Sequence, residues 1–430
     1  MRRLALPLLL CASASALADD TLVLRGGKVV PVSGPPIENA VVVVSGGKIA
    51  AVGRDVAVPD GAKVIDTTGQ TVYPGLIDGL TTLGLTEIGS VAGSVDTIEV
   101  GDINPNAKAW VALNPHSELI PVARANGITA ALSAPEGGLI AGQSAVIRLT
   151  GSTPDALTVK TPAAIQMAYP TGRASSEGAK ALDEPALKSF EEREKEKKDN
   201  QEKDLNRLRN LFEDAKAYAA AVEAAQSGKA KPPKPDPVLE ALAPAARGAV
   251  PVMLRADEED EIRSAVAFAE ARGLKLVLAG GLEAWRCASL LKQNDVAVLL
   301  NVLRLPRRRS DPYDAAYANA AILAKAGVRF AIVTDADTFS RNLPYQAAMA
   351  HAFGLPADTA LRAITLSPAE ILGVASRMGS IEVGKDANLV VASGDILDHR
   401  TQVTHVLIDG VPQPLETRHT RLYQEFKERP

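Results

Sequence analysis

The chain has 430 residues, of which 46% are hydrophobic and 23% charged, and carries a formal net charge of −4. That length suits one large barrel with a small satellite domain, and that composition supplies a sizeable core, which excludes a disordered chain and a fibrous repeat. Mild acidity argues against nucleic acid or an anionic membrane surface as the main partner.

The N-terminus reads as a secretory leader. Arg2 and Arg3 give a positive start, residues 4–11 an apolar core, and Ala16-Leu17-Ala18 a small-residue cleavage site before Asp19. Residues 1–18 are therefore expected to be a cleaved signal peptide, placing the mature protein in the periplasm or outside the cell. The apolar run is well short of the roughly 20 residues that cross a bilayer, and no later segment approaches that length, so no membrane span is expected. Leu10 before Cys11 disfavours a lipoprotein signal. Losing the leader takes the formal charge to −6 and leaves Cys287 as the one remaining cysteine, so an intramolecular disulfide is excluded. Cys287 lies in a helical stretch, where a buried inert thiol is preferred over a nucleophile.

Residues 19–73 alternate short apolar runs with Gly26-Gly27, Gly46-Gly47 and Pro59-Asp60-Gly61, the pattern of β-strands joined by tight turns. Residues 379–415 repeat that pattern, so both termini are expected to build one small β-sandwich. Between them, over 74–378, strands alternate with helices. Candidate strands are 75–78, 127–133, 145–149, 164–168, 250–255, 275–278, 296–300 and 329–334. Eight such strands predict an α/β (β/α)8 TIM-like barrel with functional residues just past the C-terminal strand ends. Residues 184–237 are a helical insertion. Its charge-rich first part, residues 184–226, reads as an exposed arm, and Gly228 to Pro235 as a stiff linker that no helix survives. The arm is either a solvated helix or a docking element. Residues 416–430 are expected to be a tail.

Val72-Tyr73-Pro74-Gly75-Leu76-Ile77-Asp78, arriving directly after a β-rich piece, resembles the barrel entry of the amidohydrolase superfamily. Near the other end, Leu366-Ser367-Pro368-Ala369-Glu370 runs into Gly379-Ser380-Ile381-Glu382-Val383-Gly384-Lys385-Asp386-Ala387-Asn388, which is similar to the family's last barrel helix and its return to the β domain. The matches span nearly all of the mature chain and look most like imidazolonepropionase-like members. The resemblance implies a hydrolase of carbon–nitrogen bonds, in a non-peptide or cyclic amide, that uses one or two divalent metals, usually zinc, to activate water.

The family's metal-ligand positions are altered here. Leu80 and Thr82 stand where its HxH pair would be, Arg255 where the fifth strand supplies a histidine, and Gly280 where the sixth does. The eighth-strand aspartate alone is retained, as Asp335. Leu80 and Gly280 bring no side-chain donor, and a neutral hydroxyl is a poor zinc ligand. On this reading the metal site is degenerate, with no metal ligand and no cofactor expected. His116, His351, His399, His405 and His419 follow no predicted barrel strand. An unpaired buried carboxylate is costly, so Arg255 is expected to pair with Asp335 in place of a cation. A helix or turn cap is the alternative role for Asp335.

Two functions stay open. In the first the chain is a hydrolase, with Asp335 or Asp337 as base and Arg255 as electrostatic stabiliser. Arg307 and Arg308, after the seventh strand, would then bind an anionic part of the substrate or form a solvated basic loop. In the second it is a non-catalytic subunit that binds a small-molecule ligand, or pairs with a second copy or an amidohydrolase paralogue. Gly142-Gln143-Ser144-Ala145 lacks the GxSxG elbow of serine hydrolases.

Overall fold

The structure is a computed structural model that describes residues 21–171, 189–306, 308 and 310–429. The leader read in residues 1–18 lies outside the described residues, as do Arg307 and the first residues of the helical insertion. Among the described residues no helix is long and apolar enough to cross a membrane.

The β-rich start folds as β1 (Leu22–Val29), β2 (Ile37–Ser45), β3 (Lys48–Gly53), β4 (Lys63–Asp66) and β5 (Thr71–Pro74). At the other end come β14 (Leu389–Ala392), β15 (Val403–Ile408) and β16 (Val411–Pro412). They form one eight-stranded sheet in the order β16-β15-β14-β5-β1-β2-β3, with β4 on β1. The two termini thus share a β domain, joined where β14 runs antiparallel to β5. The apolar run Ala40–Val44 is buried throughout, its alternate residues facing two different clusters. Buried Asp386 ties the halves, accepting from Lys48 Nζ at 2.8 Å and Arg377 Nε at 2.9 Å.

The barrel strands are β6 (Leu76–Thr81), β7 (Ile128–Ser133), β8 (Ile140–Arg148), β9 (Thr158–Ala168), β10 (Val252–Ala256), β11 (Leu276–Gly280), β12 (Ala297–Leu300) and β13 (Phe330–Ile332). They follow one another in chain order, and each overlaps a strand expected from sequence. Helices of the barrel region are α1 (Leu119–Arg124), α2 (Pro154–Leu157), α3 (Phe190–Gln226), α4 (Pro237–Ala246), α5 (Glu259–Glu270), α6 (Ala288–Gln293), α7 (Ala315–Lys325), α8 (Leu343–Ala352), α9 (Ala357–Arg362) and α10 (Leu366–Ile371). The tail carries α11 (Arg418–Phe426). One strand departs from the parallel plan: β8 is antiparallel to both β7 and β9. Only residues 134–139 connect β7 to β8, too few for the dozen or so residues a parallel crossover needs. The start of β8, not its end, therefore faces the same way as the C-terminal ends of the other seven.

Alternate residues of the barrel strands point inward and form one apolar cluster that includes Ile77, Leu80, Leu132, Met253, Val277, Ala279, Leu299 and Val333. Their neighbours, such as Val252, Leu254, Leu278 and Leu300, pack outward under the helices. Between β13 and β6 the barrel closes partly through the segment after α9, where Ile77 N donates to Ile364 O and Ile332 N to Ala363 O, each at 2.9 Å, and partly through Asp335 N, just past β13, which donates to Leu80 O at 3.0 Å.

The helical insertion is not a free arm along its length. A capping box of Ser189 and Glu192 starts α3. Its second half buries Leu208, Phe212, Ala215 and Ala219, and Phe212 meets Phe268 of α5 edge-on at 5.9 Å. Its first turns stay solvated, with Phe190 77% exposed. A shorter α4, capped by Asp236, follows the proline-rich linker.

Candidate active site

Inward-facing positions of β10 recur every second residue, so Arg255 continues the series of Met253 and emerges at the barrel's C-terminal mouth. Asp335 arrives from the turn after β13 in a left-handed conformation, φ +54°. The two side chains meet there. Arg255 Nη1 donates to Asp335 Oδ2 and Nη2 to Oδ1, both at 2.6 Å, a two-pronged contact that the planar guanidinium matches and a lysine would not. The Asp335 side chain is 8% exposed and that of Arg255 36%. The hydrogen bond to Asp335 outweighs burial and raises the Arg255 pKa, so the guanidinium stays charged.

Three residues not singled out from sequence join them. Arg304, from the loop after β12, lies 3.6 Å from Asp257 Oδ2 and 3.9 Å from Asp335 Oδ2. Asp257 Oδ1 also accepts from Leu282 N at 3.2 Å. Glu136, in the loop after β7, has its pKa raised, chiefly by desolvation; Arg255 opposes the rise, and Asp335 and Asp337 add to it. Its position just past a barrel strand was the one sequence signal available for it. Asp257, directly after β10, carried the same signal, whereas Arg304 carried none, because its approach depends on the course of the loop after β12.

Asp78 was read only as a strand end, yet it anchors the site. Wholly buried, it accepts from Thr334 N at 3.1 Å and from the Thr334 hydroxyl. Burial pushes its pKa up to about 7. Thr334 immediately precedes Asp335, so this contact fixes the turn that presents the carboxylate. Ser340 and Thr81 complete a buried hydroxyl cluster around the carbonyl of Ala336.

The other expected site residues are engaged in local contacts. The Asp337 carboxylate accepts from Thr338 N at 2.6 Å and caps its own turn. Arg308 is engaged within the fold: its Nε and Nη2 each lie 3.0 Å from the oxygens of buried Glu283, while the side chain itself stays 44% exposed. Arg286 pairs with Asp311, so the loop after β12 is fastened to the barrel at two places. The histidines are structural or exposed. His351 Nδ1 bonds Leu355 O at 2.8 Å at a helix end, and His399 stands near Asp398. Cys287 is buried and its thiol is pushed up to about 11, the inert behaviour expected.

A cavity of about 130 Å3 opens beside the pair, lined by Leu80, Thr82, Glu136, Gln166, Arg255 and Asp335 among others. Leu80 belongs to the apolar layer inside the barrel. Gly280 has φ +90°, and any Cβ there would sit 2.6 Å from Asp257 Oδ1. A histidine at that position would be strained by the positive φ and would require the Asp257 carboxylate to swing aside.

Comparison with known proteins follows the same geometry. The profile of the amidohydrolase family matches residues 254–412. An amidohydrolase from Thermotoga maritima MSB8 is 28% identical, with a TM-score of 0.78 over 91% of this chain and 99% of that one. A prolidase complexed with N-methylphosphonate-L-proline shares the fold at 17% identity and TM-score 0.53, again over 91% of this chain and 99% of that one. A curated relative, amidohydrolase tasK of Hapsidospora irregularis, is 36% identical over 74 residues; the match spans 17% of this chain and 8% of that protein. These matches correct one expectation. A chain of this family is implied to take a divalent metal, so the sequence-based expectation of no cofactor does not stand. The residues at the mouth nevertheless do not fit such an ion at the family's positions: they offer one carboxylate, already gripped by a guanidinium, beside a leucine, a hydroxyl and a glycine.

Proposed function

The chain belongs to the amidohydrolase superfamily, and from that premise we propose that it is an exported hydrolase of a carbon–nitrogen bond in a small amide or cyclic amide, working from a rebuilt metal centre. The observation that carries this reading is the two-pronged contact between Arg255 and Asp335 at the barrel mouth. There the guanidinium supplies positive charge where the family supplies a cation. An amide carbonyl directed at Arg255 would have its developing negative charge faced by that guanidinium, while Asp335 accepts a proton from the attacking water. Both groups are held before substrate arrives, by Asp78 behind the turn and by the strand register of β10. Export rests on the leader read in residues 1–18.

The test is a hydrolysis screen of the mature protein on cyclic imides, N-acyl amino acids and dipeptides, with and without added zinc, beside Asp335→Asn. Turnover that falls at least about a hundredfold in the variant is expected. Equal turnover in variant and parent would remove Asp335 from the chemistry. The alternative, a non-catalytic ligand-binding or partner subunit, is favoured by one observation: both Asp335 oxygens are already engaged by Arg255. Absence of turnover on every substrate, with or without zinc, would select it.

A further inference from the structure

We propose that the cavity at the barrel mouth is a subsite for a cationic nitrogen, an ammonium or amidinium group on the ligand, held by Glu136 with Thr82 and Gln166. This rests on the reading of the mouth as the ligand site, and it names the class of ligand.

The first support is the balance of charge. Four carboxylates gather there, on Glu136, Asp257, Asp335 and Asp337, against two guanidiniums, on Arg255 and Arg304. Arg255 is committed to Asp335, Arg304 is shared between Asp257 and Asp335, and Asp337 is bonded to its own turn. Glu136, exposed at the rim, has no hydrogen bond or ion pair to its carboxylate among the described residues, and the charge of Arg255, already paired with Asp335, is the one cation that acts on it. The unmet charge at the mouth is negative. An anionic ligand would have to displace an existing pair, whereas a cation completes one.

The second support does not depend on the acids. Thr82 and Gln166 are 9% and 7% exposed and both line the cavity. The Thr82 hydroxyl has no partner among the described residues. Gln166 donates through Nε2 to Ser144 Oγ at 2.9 Å and Met253 S at 3.3 Å, which leaves its carbonyl oxygen unbonded there. Neither atom is sealed from solvent, so whatever occupies the cavity these residues line, water or a ligand donor, supplies the hydrogen bond that no described residue gives them. A cationic nitrogen carries two or three such donors. The volume of about 130 Å3 is on the order of four waters, room for a head group rather than a whole substrate.

Isothermal titration of the mature full-length protein with butylammonium, butyrate and butyramide tests this directly. Butylammonium is expected to bind most tightly, and Glu136→Gln to weaken it about tenfold while leaving butyramide unchanged. Thr82→Val, a near-isosteric change, should weaken butylammonium by a smaller factor. Melting temperatures of both variants near that of the parent would show that the fold is intact. Butyrate binding more tightly than butylammonium, or unchanged butylammonium affinity in folded Glu136→Gln, would overturn the proposal. Selective butylammonium binding without turnover in the hydrolysis screen would retain the subsite and discard the hydrolase. Turnover without cation preference would do the reverse.

Discussion

At the scale of single residues, the mouth is governed by how buried carboxylates are accommodated. Asp335 is neutralised by a partner, whereas Asp78 is surrounded by hydroxyls and the backbone N–H groups of Thr334 and Leu80 and has no counter-charge. Burial raises the Asp78 pKa to about 7 from its ordinary 3.8. Folding therefore favours its protonated form. The stability it contributes is fully present below about pH 4 and is lost as pH rises toward 7, at up to about 1.4 kcal/mol per pH unit. Asp78→Asn, uncharged throughout, should lack that decline. Urea unfolding of parent and variant between pH 4 and pH 8 should show the variant gaining on the parent up to about pH 7 and holding level beyond it. Parallel curves would contradict this assignment. The Arg255–Asp335 pairing was legible in the sequence because both residues end barrel strands and one lacked a counter-charge. Glu136, Asp257 and Arg304 were not, since loops bring them together. The same limit explains Arg308, whose partner Glu283 lies on a different loop, after β11.

At the scale of elements, the eight barrel strands were legible because each is a short β-branched or apolar run bounded by turn residues. The direction of β8 was not, although the short connection from Ser133 to Ile140 carried the necessary signal. The helical insertion divides in two for a reason visible in its composition. Residues near its start are almost all charged, while Leu208, Phe212, Ala215 and Ala219 form a stripe at helical spacing that finds α4 and α5. Phe212→Ala should cost about 3 kcal/mol or more in urea unfolding, from lost burial and the cavity left behind. Phe190→Ala, at an exposed position, should change stability by less than about 0.5 kcal/mol. Equal effects would mean that α3 is solvated over its whole length.

At the scale of the molecule, a β domain made from both termini brackets a barrel whose interior is apolar up to the layer of Leu80 and Ala279 and polar above it. Family membership and architecture were legible from motifs at the two junctions, Tyr73 to Asp78 and Leu366 to Asn388. The implied metal was not, because residues at the family's ligand positions form an ion pair, an apolar layer and a tight glycine turn. The central claim is that Arg255 and Asp335 form one electrostatic unit where the family places its cation. A double-mutant cycle of Arg255→Met and Asp335→Asn, read by urea unfolding of the protein, tests it most directly. Each single change should be strongly destabilising, and the double variant less so than their sum by about 2 kcal/mol or more, within the range of coupling for groups in direct contact. Additivity to within about 0.5 kcal/mol would show two independent residues and contradict the account.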